Sequence, residues 1–332
     1  MGEGEATVVA SAALALYRDP WAPLHAHRES MTISPPAVAI TLGLAVSVSR
    51  PVISQSAGTT RDTVGTRTVE LDGFPVRVRT ANLRQRTPGQ PVIVFESGGA
   101  SPLETWNRVL PEVANFAALV AYDRAGTGQS AWDSLPPTPE HVVARLRRLL
   151  AKLDIAPPYV LVGHSWGGAL IRYFAGAVPS DVVGMLYIDP TDVTLSPSDE
   201  VAIFESIGAG AAARDAFYGL MERAMANATA PLRAEGAVVV SILKQDLPAR
   251  KLPEQPNVSA TVMLAGRAPF LPQGALPFDT KKYVAAMQQD RAARLRTWVR
   301  GQGEFIVAPN AGHFVHAEAP ELVIEAIRRL VR

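Results

Sequence analysis

The stretch YVLVGHSWGGALIRYFAG, residues 159–176, changes from one structural pattern to another within a few positions. Its first five residues form a mostly apolar run typical of a buried strand, and the residues after the glycines have helical spacing. Between them, GHSWG (163–167) matches G-x-S-x-G, whose glycines permit a tight turn. Such a turn lifts Ser165 clear of the sheet at the positive end of a helix. The stretch therefore predicts a strand, an exposed serine nucleophile and a helix.

The same alternation of strand and helix extends from Thr66 to the end of the chain. Two alternating segments around Asp72-Gly73 predict a hairpin. Further strands are predicted at 91–97, 118–123, 159–163, 183–189, 261–266 and 304–309, and helices at 102–116, 139–153, 166–178, 279–299 and 319–331. Thr138 is the expected N-cap of the second helix. The order predicts a mostly parallel α/β sheet with helices on both faces and with chemistry at the carboxyl ends of its strands.

A long insertion separates two parts of this predicted core, 61–190 and 259–332. Residues 191–258 follow the sixth core strand and are too many for a simple connection. They are rich in alanine, with helical segments around 201–207 and 211–226. We expect them to form a small helical cap over the strand ends.

Residues 1–60 are patterned differently and are excluded from the predicted fold. An apolar run at 37–48 follows a second methionine, Met31, and leads into small residues, as in a signal peptide. This favours export, to the periplasm or the medium, over a cytoplasmic location. A start at Met31 leaves no positively charged segment before the run, so a disordered extension is the alternative. The run is too short for a membrane span, and none is expected in the mature chain.

Composition excludes several other classes of function. The net charge is +1 and charged residues make up 19% of the chain, which argues against nucleic acid as a partner. Because there is no cysteine, thiol nucleophiles and cysteine-ligated metals are excluded. No HExxH motif occurs, and the glycine-rich segments lack the lysine of a P-loop and the third glycine of a dinucleotide site. We expect no metal and no cofactor.

A serine hydroxyl needs a base, and His313 is the best placed of the six histidines. It lies in APNAGHFVHAEAP (308–320), in the loop after the last predicted strand. His316 is three residues further on and is expected to pack or to face solvent. Of the remaining histidines, His25 and His27 lie in the leader, His141 lies on a predicted surface helix and His164 lies within the serine motif.

The base needs a carboxylate partner, and Asp189 is the preferred residue. The loop after TVMLAG (261–266) contains no acid for a dozen residues. Asp189 ends the strand expected beside the one that carries Ser165. Asp192 is the reserve acid and Asp279 a more distant alternative.

The developing negative charge needs preorganised donors. In FESGGAS (95–101) the glycines allow backbone N–H groups to turn towards Ser165, so we expect the N–H groups of Gly99 and Trp166 to form an oxyanion hole. The expected substrate pocket comprises Gly98 and apolar residues of the cap, namely Phe204, Phe217, Tyr218, Leu220 and Met221.

In this order, the motifs resemble the α/β-hydrolase superfamily over about residues 66–332. They are FESGGAS, YDRAGTGQS (122–130), GHSWGG (163–168) and NAGHFVHAEAPE (310–321). The resemblance also includes the helical cap expected at 191–258. Ala125 replaces the usual arginine and residues 96–99 replace a His-Gly pair, as in a bacterial subgroup with YDRAG segments. The resemblance implies an α/β-hydrolase fold and a serine hydrolase that works through an acyl-enzyme, with Ser165 as nucleophile and His313 as base. Asp189 is a position that some branches use for the acid.

The expected reaction is hydrolysis of an ester or lactone of a small to medium apolar molecule. Serine at position 165, the place of the nucleophile, argues against the epoxide-hydrolase and haloalkane-dehalogenase branches, which need aspartate there. Amide cleavage and cofactor-free perhydrolysis on the same triad are alternatives, and an aminopeptidase would need acidic cap residues such as Glu200, Glu205, Asp215 or Glu222 to hold the substrate amine. A ligand-binding receptor is the alternative outside enzymes. The sequence makes no prediction about the oligomeric state.

Overall fold

An eight-stranded sheet runs through the part of the chain that the computed structural model describes, residues 64–245, 252–268 and 276–332. Its order is β1-β2-β4-β3-β5-β6-β7-β8. β1 and β2 are antiparallel to each other, β2 is antiparallel to β4, and the remaining neighbours are parallel, which confirms the predicted mostly parallel sheet. The strands are Gly65–Leu71, Phe74–Ala81, Val92–Glu96, Ala118–Tyr122, Tyr159–His164, Val182–Ile188, Ser259–Ala265 and Phe305–Ala308. The predicted leader at 1–60 lies outside the described residues.

The predicted hairpin is present at the antiparallel edge of the sheet. Asp72 and Gly73 join β1 to β2 with φ angles of 55° and 84°. A two-residue hairpin turn with positive φ at both positions matches the twist of the flanking strands. The local sequence is therefore sufficient to specify this connection.

Both faces of the central strands are buried, because alternate residues of each strand enter different hydrophobic clusters. In β3, Val92 and Val94 face one cluster, whereas Ile93 and Phe95 face the other. The helices are α1 Leu110–Ala114, α2 Pro139–Lys152, α3 Trp166–Ala177, α4 Pro197–Ser206, α5 Ala211–Ala224, α6 Ala230–Lys244, α7 Thr280–Arg296, α8 Val315–Glu318 and α9 Pro320–Leu330. Helices α2 and α3 cover the first face, and α1 and α9 cover the second.

Helix boundaries agree with the sequence prediction at some positions and differ at others. Thr138 caps α2 as predicted, its hydroxyl accepting a hydrogen bond from the His141 N–H. The single helix predicted at 102–116 is wrong: a 3₁₀ turn at Leu103–Trp106 is followed by the separate helix α1. Pro111 explains the break, because its ring would clash with the carbonyl of the residue four positions earlier in a continuous helix.

Three helices, α4 to α6, lie between β6 and β7, in the region predicted to form the cap. The first two match predicted segments, whereas α6 was not anticipated. Buried residues of α4 and α5 pack with residues of α7, including Tyr283 and Val284. In the described ranges, no helix has the length and apolar character needed to cross a membrane.

Candidate active site

Ser165 occupies a strained turn between β5 and α3. Its φ of 53° and ψ of −121° lie in a region that costs a non-glycine residue about 1–3 kcal/mol. The surrounding backbone holds the turn: the Ser165 N–H donates to the Ile188 carbonyl at 3.0 Å, and its own carbonyl accepts from Gly168 and Thr191 at 2.9 Å each. The hydroxyl is thereby presented at the N-terminus of α3, where the helix dipole favours negative charge.

The glycines around Ser165 are required by close backbone contacts. A Cβ on Gly167 would lie 2.2 Å from the Glu96 carbonyl oxygen, and one on Gly163 would lie 2.5 Å from the Gly167 carbonyl oxygen. A Cβ on Gly98 would lie 3.2 Å from Ser165 Cβ. The loop after β3 therefore passes directly beside the serine because it carries no side chain there.

His313 and Asp189 are brought together from two different strand ends. Asp189 directly follows β6, and His313 lies in the loop after β8. The distance between His313 Nδ1 and Asp189 Oδ2 is 2.6 Å. This bond orients the imidazole and leaves its Nε2 atom available to exchange a proton with another group.

Arg291 of α7 completes the environment of the Asp189 carboxylate. Its Nη1 donates to Asp189 Oδ1 at 2.9 Å, and Ala265 N–H donates to the same oxygen at 3.1 Å. Burial by itself would raise the pKa of Asp189, but the charge of Arg291 and the hydrogen bond with His313 outweigh it. The pKa of this carboxyl is held well below its usual range, and Asp189 stays ionised at neutral pH.

The two alternative acids have other partners. Asp192 accepts hydrogen bonds from Thr194 and from Arg294 Nε, the latter at 2.8 Å. Asp279 caps α7 by accepting from the backbone N–H groups of its first turn. Neither carboxylate contacts His313 among the described residues, so the structure pairs this histidine with the preferred acid.

The Ser165 hydroxyl forms no hydrogen bond with another described residue. Ser165 and His313 follow the carboxyl ends of β5 and β8, at the same edge of the sheet, and no hydrogen bond joins them. In serine hydrolases the hydrogen bond between the serine hydroxyl and the base often forms at a short distance only when substrate is bound. The contact between nucleophile and base thus remains a prediction.

Arg124 fixes the backbone of the loop after β3 by hydrogen bonds. The guanidinium donates to the carbonyl oxygens of Ser97 at 2.6 Å and Gly98 at 2.7 Å. In a trans peptide the carbonyl and the following N–H point in opposite directions, so the Gly99 N–H is directed away from Arg124. The Trp166 N–H is the first of α3 and has no acceptor within the helix. Of the two groups predicted for the oxyanion hole, the Gly99 N–H therefore has a defined orientation and the Trp166 N–H has no acceptor within its helix.

His164 and His316 form a buried aromatic cluster next to His313. The His164 ring lies 4.6 Å from that of His313 and 4.4 Å from that of His316. His164 Nε2 donates to the His313 carbonyl oxygen at 2.9 Å, and His316 Nε2 lies 2.6 Å from Thr105 Oγ1. Burial lowers the pKa of both rings, that of His316 to about 3, with further lowering by the neighbouring histidines. Both rings are neutral packing residues at neutral pH.

The buried neutral His316 makes the stability of the protein depend on pH. Because its pKa is lowered from 6.5 to about 3, the unfolded chain binds a proton that the folded chain excludes. Stability is therefore complete above pH 6.5 and falls as the pH drops towards 3. Between pH 7.5 and 5.5 this histidine is expected to cost on the order of 1 kcal/mol of unfolding free energy. Urea titrations at the two pH values measure the loss of unfolding free energy on acidification. This loss should be smaller by that amount in His316→Gln than in the wild type.

Thr105→Val is the matched control for this measurement. It removes the hydrogen-bond partner of His316 but introduces no change in the titrating group, so its stability should fall by a similar amount at both pH values. Equal acid losses in the wild type and His316→Gln would contradict the assignment.

A cavity of about 290 Å³ lies between helices α4 to α7 and the strand ends. It extends to His313 and Asp189, whereas Ser165 and Gly98 are not among its lining residues. Most of the lining is apolar or aromatic. Among its residues are Leu195, Phe217, Tyr218, Met221, Leu243, Tyr283, Val284, Met287, Gln288 and Arg291.

Phe204 has a different role from the one expected. It is fully buried and stacks on Tyr283, with ring centroids 4.7 Å apart, inside the hydrophobic cluster that α4, α5 and α7 share. This packing corrects the expectation that Phe204 lines the pocket. Phe217, Tyr218 and Met221, in contrast, do line the cavity, and Leu220 is not among its lining residues.

The model of the alpha/beta hydrolase family matches residues 93–326, more than half of the chain. The chain belongs to this family. It is 25% identical over 285 residues to an AB hydrolase superfamily protein of Gibberella zeae, which covers 74% of this chain and 88% of that protein. It is 35% identical over 98 residues to the uncharacterized protein YqjL of Bacillus subtilis, but this match spans only 30% of the chain and 39% of the relative.

Solved structures are similar to this alpha/beta hydrolase in fold. A loop variant of a haloalkane dehalogenase from Bradyrhizobium elkanii aligns with a TM-score of 0.54 and 17% sequence identity. The alignment covers 81% of this chain and 96% of the dehalogenase. At this identity the likeness shows the shared fold alone.

Sequence reasoning missed three charged residues near the site of this alpha/beta hydrolase. Arg291 lies on a helix with no motif and reaches Asp189 across 102 residues of sequence, so no local signal points to it. Arg124 and Glu96 carried a signal, since each is a charged residue at the end of an apolar strand, and they form a buried pair at 2.8 Å. Among the described residues no group of three histidine, aspartate or glutamate side chains is arranged to hold a metal ion.

Proposed function

We propose that this protein is a serine hydrolase that cleaves carboxylic esters or lactones of small to medium apolar molecules through an acyl-enzyme. Ser165 is the nucleophile, His313 the general base and Asp189 the acid that orients it. The observation that carries the proposal is the 2.6 Å bond between His313 and Asp189 at the sheet edge where Ser165 occupies its strained turn. Strained backbone at a non-glycine residue is typical of functional sites.

The proposed reaction has two steps. In the first, His313 Nε2 takes the proton from Ser165 Oγ as this oxygen bonds to the carbonyl carbon, and the proton then passes to the departing alcohol oxygen. In the second, water attacks the acyl-serine, His313 takes a proton from that water, and Ser165 regains its hydrogen as the acid leaves. Asp189 remains ionised throughout and stabilises the imidazolium.

The N–H groups of Gly99 and Trp166 would hold the oxyanion in both steps. The orientation that Arg124 gives the Gly98 carbonyl supports this role for Gly99. The position of Trp166 at the start of α3 supports it for the second donor, because the helix dipole adds to the hydrogen bond.

The cavity supports an apolar substrate. Its lining offers aromatic and aliphatic side chains from two sides, so an acyl or alcohol group could be desolvated there. Amide cleavage by an aminopeptidase is less well supported. Glu200 lines the cavity, but its carboxylate already accepts from Arg214 Nε at 2.6 Å and from the Tyr218 hydroxyl. Glu205 and Asp215 are exposed and do not line the cavity.

Labelling with a fluorophosphonate and a pair of matched substrates tests the proposal. The probe should attach to Ser165, as located by peptide mass spectrometry, because only an activated serine reacts quickly with it. p-Nitrophenyl butyrate should be hydrolysed, and the p-nitroanilide of the same acid should be turned over at least about 100-fold more slowly. Heat-denatured protein is the control for non-specific labelling. Absence of labelling at Ser165 would support a receptor, and faster cleavage of the anilide would support an amidase.

A further inference from the structure

The cap helix α6 contributes one buried carboxylate, Glu235, to the underside of the loop after β3. Glu235 Oε2 accepts a hydrogen bond from the Ala100 N–H at 2.7 Å. Its Oε1 lies 2.7 Å from Arg124 Nη2 and 2.9 Å from Arg124 Nε. Only 6% of Glu235 is exposed, although it lies on a cap helix. A cap residue thus bonds directly to the loop that carries Gly99.

Arg124 connects this carboxylate to the rest of the loop. It lies between Glu235 and Glu96, and it also donates to two loop carbonyl groups, those of Ser97 and Gly98. Burial alone would lower the pKa of Arg124, but the two carboxylates raise it above its ordinary value. The guanidinium therefore remains charged, and all three of its nitrogen atoms donate hydrogen bonds.

The start of α6 also packs closely on the segment that follows Arg124. A Cβ on Gly126 would lie 2.3 Å from Pro231 Cβ, so this helix is seated directly on the YDRAG segment. The contact lies one helical turn from Glu235. Helix α6 is thus fixed to the core by a steric contact and by a charged hydrogen bond.

We infer that Glu235 is a positioning residue that ties the loop of Gly99 to the cap, so that the oxyanion donors are aimed only when α6 is seated on the core. Without this carboxylate the Ala100 N–H loses its acceptor. Arg124 also loses one of its two anionic partners and can turn towards Glu96, releasing the carbonyl of Gly98. The peptide before Gly99 is then free to rotate. The catalytic part of this inference rests on the proposed function, whereas the structural part does not.

Glu235→Gln keeps the size of the side chain but removes its charge and replaces one of its two acceptor oxygens by an NH₂ group, so it can no longer accept from both Ala100 N–H and Arg124. We expect kcat for p-nitrophenyl butyrate to fall by about 10–100-fold, with KM changing less than about twofold, because oxyanion donors act on the transition state. Affinity for an alkyl boronic acid, which forms a tetrahedral adduct on the serine, should fall in parallel with kcat/KM. A purely structural role for Glu235 would not produce this split.

Hydrogen–deuterium exchange tests the loop without any need for activity. Exchange in the peptide spanning 97–103 should become about tenfold faster in Glu235→Gln than in the wild type. Arg233→Gln is the matched control: Arg233 lies on the same helix and is exposed, and its side chain hydrogen-bonds only to the Ala228 carbonyl among the described residues. It should retain wild-type exchange and kcat.

The outcomes separate this inference from the proposed function. Wild-type exchange in Glu235→Gln overturns the inference, whatever happens to kcat. Faster exchange combined with an inactive wild-type protein would overturn the proposed function and leave the structural tie intact. If Glu235→Gln does not fold, Glu235→Asp keeps Arg124 paired while withdrawing the carboxylate from Ala100. It should then show a smaller loss of kcat and faster loop exchange, and wild-type values for both would contradict the inference.

Discussion

Replacing Ser165 by alanine is expected to lower kcat for ester hydrolysis by about 100,000-fold, since no acyl-enzyme can form without the hydroxyl. The substitution removes one oxygen and keeps the Cβ, so the turn and its backbone hydrogen bonds should persist. The residual rate would reflect the oxyanion donors and substrate binding alone. Steady-state kinetics with p-nitrophenyl butyrate, together with a thermal melt, measures both expectations.

Ser180→Ala is the control for the serine prediction. Ser180 is exposed beyond the opposite end of α3 and bonds only to the Asp181 carboxylate among the described residues. Its loss should leave kcat unchanged. If Ser165→Ala retained more than about one hundredth of the wild-type kcat, the covalent mechanism on Ser165 would have to be abandoned.

Replacing Asp189 by asparagine is expected to lower kcat by about 10,000-fold. The asparagine amide can donate to His313 Nδ1, which would place the imidazole proton on Nε2, where it cannot accept the serine proton. Arg291 would also lose the anionic partner that it contacts at 2.9 Å. The wild-type carboxylate stays ionised between about pH 5 and 9, because the pKa of Asp189 is held well below its usual range, so protonation of Asp189 itself does not limit the effect there.

Asp192→Asn is the matched variant, three residues further along the chain. Its carboxylate bonds to Arg294 and Thr194, so its loss should lower kcat by no more than about tenfold, through small shifts of the cavity wall. Kinetics of the two variants at equal substrate saturation decide between the acids. A larger loss in Asp192→Asn than in Asp189→Asn would reverse the assignment.

Local patterns were enough to predict much of the core. The hairpin at Asp72-Gly73 needs only two residues that adopt positive φ, and the N-cap of α2 needs only Thr138 before a proline. The break before α1 was missed because helical spacing was given more weight than Pro111. Residues 1–60 lie outside the described ranges, and the export expected for them stays a prediction.

The helices between β6 and β7 were harder to predict than the core. They pack on α7 and on the loops of the sheet, so their positions depend on contacts far away in sequence. Phe204 illustrates this: its apolar side chain was compatible with a pocket wall, but the stacking partner Tyr283 places it in the interior of the cluster that α4, α5 and α7 share. Amphipathic spacing identifies a helix, but it does not distinguish a core face from a cavity face.

The sequence by itself determined most of the core elements, their order and the turn that presents Ser165, because these depend on residues close together in the chain. Only the tertiary structure decided which carboxylate meets His313, since Asp189 and Asp192 follow the same strand and differ in the direction of their side chains. It also decided that Arg291 and Glu235 reach the site from helices more than 100 residues away from their partners. Such contacts arise from the packing of the cap and helices on the sheet, which no local pattern encodes.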